Sequence, residues 1–296
     1  MDKEAVVLTL NSPSFDIGKW VREVTDEQQA DGSWGRFHST DSKLKRKWGT
    51  TESAMARLKY LGLDRTAISV QKACEYCEIL LNNHIALWPE YMEKNELFPK
   101  AVPIYIVTAL SHFGSDDRLY RQYGDALLSL LHLAFADGEY NREALNQSAK
   151  NLLGIEIDNT YMGFGSKYLL IFFQNHVSKI DRDVQRKYLK WLHEQDVIYY
   201  SPASLQETIT PFTPLRYGLR TIFGRVEILS WLSSFHGFSE EFSEDLAVIS
   251  HFRQSDGYWD LGNGFQCPRL SADWRSPANR KMDQTYFIQR LFSNIP

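Results

Sequence analysis

Cysteine is scarce in this chain: three residues in 296, an odd number and too few for a disulfide framework. Long apolar runs are missing as well. No window approaches the ~18 apolar residues that a membrane span requires, and the stretch Ala5 to Val7 is too short for a secretory leader. A cytoplasmic protein without a transmembrane segment is the expectation. Neither sign of charge dominates, since 33 Lys and Arg stand against 37 Asp and Glu, and a net charge of −4 gives no basis for a nucleic-acid partner. The short basic run Lys43 to Lys47 reads as a solvated loop. The eight histidines show no metal-ligand spacing, and Cys74-Glu75-Tyr76-Cys77 is followed by no second ligand pair, so no metal site is expected. Gly163 and Gly165 precede no Lys-Ser/Thr, which excludes a phosphate loop, and no Gly-x-Ser-x-Gly elbow is present. Strand-type alternation of any length is absent too.

What the chain does have is aromatic residues, 14% of its length, which implies a large core or an aromatic-lined cavity. It also has a repeat. Gln29-Ala30-Asp31-Gly32-Ser33-Trp34 returns as Gln254-Ser255-Asp256-Gly257-Tyr258-Trp259, each copy set between two amphipathic stretches. Ala136-Asp137-Gly138-Glu139-Tyr140 is a copy with Tyr replacing Trp, and Gln195 to Tyr199 is a Gly-less relic. Gly32 and Gly257 suit a positive φ where the chain turns back, and Asp31 and Asp256 suit hydrogen bonds to turn N–H groups. Each Trp is expected to pack on the neighbouring helix pair with its indole N–H on a carbonyl.

Periodicity then predicts five helix pairs, with room for a sixth, irregular one. After an extended arm (1–14) the pairs are Phe15 to Gln28 with Thr50 to Leu61, Ile68 to Leu81 with Val102 to Phe113, and Leu119 to Phe135 with Thr160 to Phe173. Val184 to Glu194 with Leu219 to Phe235, and Phe242 to Arg253 with Asp283 to Phe292, complete the set, and a short helix is expected over Arg142 to Leu152. Gly62 reads as a helix C-cap and Pro103 as a first-turn residue. Aligning the second helices on Arg57-Leu58 and Arg290-Leu291 makes the last connecting loop eight residues longer than the first.

The repeat resembles the QW-type repeat of the terpenoid cyclases and protein prenyltransferases, the squalene–hopene cyclase superfamily. The resemblance implies an all-α fold, a single α/α toroid of five to six helix hairpins spanning residues 1–296; the sequence departs from the family in lacking a second toroid domain. It also implies a hydrophobic central cavity for an isoprenoid-like ligand, entered past the starts of the second helices. Glu156-Ile157-Asp158-Asn159-Thr160-Tyr161 resembles the Asp-rich stretch with which class II terpene cyclases protonate an alkene, placing the acid at Asp158 beside Glu156 and Asn159. Glu stands where the family has its first Asp, and Asn where it has its last. An alkene is a weak base, so the acid must be kept protonated by burial or by its neighbours. Aromatic faces for a carbocation come from Tyr161, Phe164, Tyr168 and Tyr286, with Trp88 between the helices of the second pair.

Arg216 and Arg220 are candidates for an anionic head group, with Mg²⁺ as the cofactor if that head is a diphosphate. Glu52, Asp283 and His38 complete the polar rim. Two other readings use the same residues. One is a non-catalytic toroid that binds a ligand or a partner. The other is a carbohydrate-active barrel with its carboxylate pair among Glu52, Glu90, Asp158 and Asp283 and its sugar platforms at Trp48, Trp88 and Trp274.

Overall fold

A computed structural model describes residues 6–38, 48–83, 98–157, 162–195, 198, 215–263, 265 and 267–296. Twelve α-helices carry these residues, with no strand among them beyond three isolated bridges. The protein is all-α. The helices are α1 (Ile17–Thr25), α2 (Thr51–Tyr60), α3 (Ile68–Asn83), α4 (Phe98–Ser111), α5 (Arg118–Ala134) and α6 (Arg142–Leu153). They continue with α7 (Lys167–Asn175), α8 (Arg182–His193), α9 (Leu215–Leu232), α10 (Phe238–Glu241), α11 (Ser243–His251) and α12 (Pro277–Ser293).

Local sequence explains where these helices start and stop. The side chains of Asp16, Thr50, Asp117 and Asn141 accept hydrogen bonds from first-turn N–H groups of α1, α2, α5 and α6. Gly62 follows α2 at φ +83°, and Leu63 N–H reaches back to Leu58 O, which closes a Schellman-type end. Pro103 departs from the expectation. It lies inside α4, which starts five residues earlier at Phe98, so Pro99 rather than Pro103 takes the first-turn place.

The two Gln-x-Asp-Gly-x-Trp loops have the same hydrogen bonds. Gly32 and Gly257 stand at φ +90° and +86°. Asp31 accepts from Ser33 N–H and Asp256 from Tyr258 N–H. The indole of Trp34 donates to Val24 O at 2.7 Å, and that of Trp259 donates to Ile249 O at 3.1 Å. The backbone N–H of each Trp donates to a buried threonine, Thr51 on α2 or Thr285 on α12. Each Trp therefore hydrogen-bonds to both helices of its own pair, and the loop also meets the neighbouring pair, with Gln28 donating to Ser69 O and an added Cβ on Gly32 lying 2.2 Å from Lys72 O on α3. The threonines also reset the repeat register. Thr51 lies 17 residues from Trp34 and Thr285 lies 26 from Trp259, so the last loop is longer by nine and Arg290 is equivalent to Ala56 rather than to Arg57.

The second helices of the pairs pack in sequence: α2 on α4, α4 on α7, α7 on α9, and α9 on α12. The last returns to the first through side chains. Tyr60 on α2 meets Tyr286 edge-on at 5.9 Å and Phe287 at 6.5 Å, and the Arg290 guanidinium lies 4.7 Å from the Tyr60 ring centre. The N-terminal arm crosses the same seam: Leu8 exchanges two hydrogen bonds with the Gln289 amide, and Val6 N–H donates to Gly257 O.

Candidate functional site

One cavity of about 660 Å³ takes wall residues from α2, α4, α7, α9 and α12, all five second helices. That volume suits a small organic ligand. The periodicity of α2 shows how a helix presents itself to this space. Ala54, Leu58 and Leu61 are buried on one side, while Ser53, Ala56 and Lys59 are exposed, line the cavity and leave it in contact with solvent.

The walls are aromatic: Trp20, Trp48, Tyr105, Tyr168, Trp231 and Phe287 contribute rings. Tyr105 and Tyr168 are stacked at 3.8 Å, joining α4 to α7. The walls are also charged. Arg57, Lys59, Lys167, Arg269 and Arg290 line the cavity, against Glu23, Glu52 and Glu227. Of these acids Glu52 is engaged by His38, whose Nδ1 lies 2.8 Å from the carboxylate and 3.3 Å from the Tyr168 hydroxyl. The Glu227 carboxylate has no hydrogen bond or ion pair among the described residues. Burial raises its carboxyl above the ordinary range, opposed by Lys167 and Arg290. His112, in the turn just after α4, is pushed down to about 4 by burial and then by Lys59 and Arg290. Burial lowers the Arg57 guanidinium and raises the Tyr60 phenol and the Cys267 thiol.

The sequence candidates fall into three groups. His38, Glu52 and Tyr168 come together at the end of the cavity where α2 begins, and Glu52 and Tyr168 line it. Phe164, Asp283 and Tyr286 are engaged elsewhere. Phe164 is fully buried against Phe173 and Tyr188. Asp283 accepts from Leu270 N–H, Ser271 N–H and the Ser271 hydroxyl, which pins the preceding loop to α12. Tyr286 sits between Phe15 and Tyr60. Asp158, Asn159, Tyr161 and Trp88 lie outside the described residues, as do the side chains of Arg216 and Arg220, whose backbone belongs to α9. Glu156 is exposed.

Arg57, Lys59, Tyr60, His112, Glu227 and Arg290 did not stand out in the sequence as site residues. The available signal was a charged residue placed singly in an apolar helix, as with Glu227 between Val226 and Ile228. Among the described residues no group of three or more His, Cys, Asp and Glu side chains is placed to hold a metal ion. No described helix is long and apolar enough to cross a membrane. Comparisons with protein-family models, with curated proteins and with solved structures find no match for the chain.

Proposed function

We propose that the five helix pairs close into a single α/α toroid and that its central cavity binds an isoprenoid-type ligand, in the manner of a terpenoid cyclase or prenyltransferase. The observation that carries this reading is a cavity walled by all five second helices, with the last helix meeting the first at Tyr60. The aromatic walls favour a flexible, polarisable hydrocarbon chain, because rings bury large area against it without needing hydrogen bonds. The cations narrow the choice further. A carbocation formed beside Arg57, Lys59 and Arg290 would be repelled by them, whereas an anionic head group would be drawn in. The cavity therefore supports binding of an anionic isoprenoid better than cyclisation of a neutral polyene. Under this proposal the alkene acid is Asp158, and Arg216 and Arg220 add to the head-group charge. Glu227 is a described carboxyl already inside the cavity.

The test is calorimetry with farnesyl diphosphate, farnesol and a linear alkane alcohol, followed by product analysis. Saturable binding of farnesyl diphosphate that exceeds that of farnesol is expected. Cyclised product that disappears in Asp158→Ala would establish turnover. Binding without product makes this a carrier or sensor of the ligand. Binding of neither isoprenoid removes the reading.

A further inference from the structure

We propose that the end of the cavity where α2 meets α12 is a binding site for an oxyanion, a carboxylate or phosphate-type head group, held by Arg57, Lys59 and Arg290 around Tyr60. It rests on the cavity being a ligand site and is independent of the hydrocarbon chain proposed above.

The charge at this end is unbalanced. Arg57 donates to Arg269 O and lies 5.6 Å from the Tyr60 ring centre; Arg290 lies 4.7 Å from the same ring; Lys59 lies over Phe113. Among the described residues none of the three makes an ion pair with a carboxylate. Two guanidiniums that share one ring repel each other, and an aromatic face compensates only weakly for the anion each lacks. The nearby acids do not supply it by contact, since Glu23 and Asp283 act on Arg57 only through space. Glu52 is taken by His38, and Asp283 has its oxygens filled by Leu270 and Ser271. Glu227 faces Arg290 from α9 and Lys167 from α7, and burial pulls it toward its neutral form. Glu23 on α1 and Cys267 and Arg269 in the loop before α12 complete the charged and titratable surroundings. His112 borders the same cations, and burial first, then Lys59 and Arg290, disfavour its charged form.

Hydrogen bonding points the same way. Among the described residues Nη1 of Arg57 and the hydroxyl of Tyr60 have no hydrogen-bond partner, and both side chains line the cavity while more than nine-tenths buried, at 8% and 9% exposure. Such groups are costly to leave unmet. Both atoms are closed off from solvent, so an oxyanion reaches them as the two side chains turn toward the cavity, where it gives both donors an acceptor and neutralises the guanidinium pair. Charge-assisted bonds of this kind are among the stronger ones available to a ligand.

The experiment titrates the full chain with inorganic phosphate and with octyl phosphate at low ionic strength. It uses wild type, Arg290→Gln, Lys59→Gln, Tyr60→Phe, Glu227→Gln and a control, Lys190→Gln, on the exposed face of α8. Wild type is expected to bind with one site. Arg290→Gln and Lys59→Gln, neither in the core, weaken binding at least tenfold. Tyr60→Phe weakens it several-fold, Lys190→Gln leaves it unchanged, and Glu227→Gln tightens it by removing an opposing charge. Octyl phosphate binding more tightly than phosphate supports the site together with an apolar tail. Equal affinities keep the oxyanion site and remove the tail reading. Absence of saturable binding in folded wild type, or a loss in Lys190→Gln equal to that in Arg290→Gln, would overturn the proposal.

Discussion

Two threonines and a histidine illustrate what single residues do here. Thr51 and Thr285 are fully buried, and each hydroxyl accepts the backbone N–H of a motif tryptophan. Thr51→Val keeps the shape and strands that N–H, so a loss of about 1–3 kcal/mol in urea unfolding is expected, with a similar loss for Thr285→Val. A change within ±0.3 kcal/mol at both sites would mean that the loops are held by the indoles alone. His112 makes stability depend on pH. Its folded pKa of about 4 lies below the unfolded value, so stability is fully present above about pH 6.5 and is lost as pH falls toward 4. Because the ring is partly exposed to the cavity, roughly 2 kcal/mol is a reasonable share for this one group. Urea curves at pH 7 and pH 4.5 are expected to converge for His112→Gln relative to wild type. Equal pH sensitivity in both proteins would assign the loss to other groups.

At the scale of elements, the loops between paired helices differ in how closely they approach a neighbour, and glycine substitution reads the difference. Gly32 and Gly138 both hold positive φ, but a Cβ on Gly32 would strike Lys72 O while one on Gly138 would meet nothing within 4 Å. Gly138→Ala is expected to cost about 1 kcal/mol, the price of the backbone conformation. Gly32→Ala adds a displacement of α1's loop from α3, and a total above roughly 3 kcal/mol by thermal or urea unfolding is expected. Equal costs would show that the loop moves away from α3 without penalty. Helices of this kind were largely legible in the sequence, since apolar spacing, capping residues and terminal glycines act locally. Register and site were less so. The letter match of Arg57-Leu58 with Arg290-Leu291 misplaced the repeat by one residue, because the hydrogen bond that sets it joins Trp259 to a threonine 26 positions away. The Glu156 to Tyr161 stretch drew attention by its likeness to a known motif. Arg57 between Ala56 and Leu58, or Glu227 between Val226 and Ile228, gives no local sign of facing a cavity, since that depends on how five helices are assembled.

At the scale of the whole molecule, the question is what holds the last helix to the first. The chain is acidic in sum, with a net charge of −4, yet it concentrates guanidinium groups at the α2–α12 seam, where their mutual repulsion works against closure. Tyr60 with Tyr286 and Phe287 supplies apolar adhesion, and the N-terminal arm supplies a strap. Leu10 packs where a Cβ on Gly62 would otherwise lie, at the end of α2, and Leu8 pairs with Gln289 on α12. Deleting residues 1–10 removes two partly buried leucines and about three hydrogen bonds, which amounts to roughly 2–4 kcal/mol. If the arm straps the seam, the loss is local. Hydrogen exchange is then expected to quicken in Gln284 to Leu291 and in the last turn of α2 while protection in α5 and α6, far from the arm in the packing order, stays at its wild-type level. A uniform loss across all helices would instead mean that the arm contributes only to global stability. Unchanged protection in α12 would leave the rings around Tyr60 sufficient to hold the last helix to the first, and the oxyanion proposed for this seam would then be the remaining agent able to tighten it.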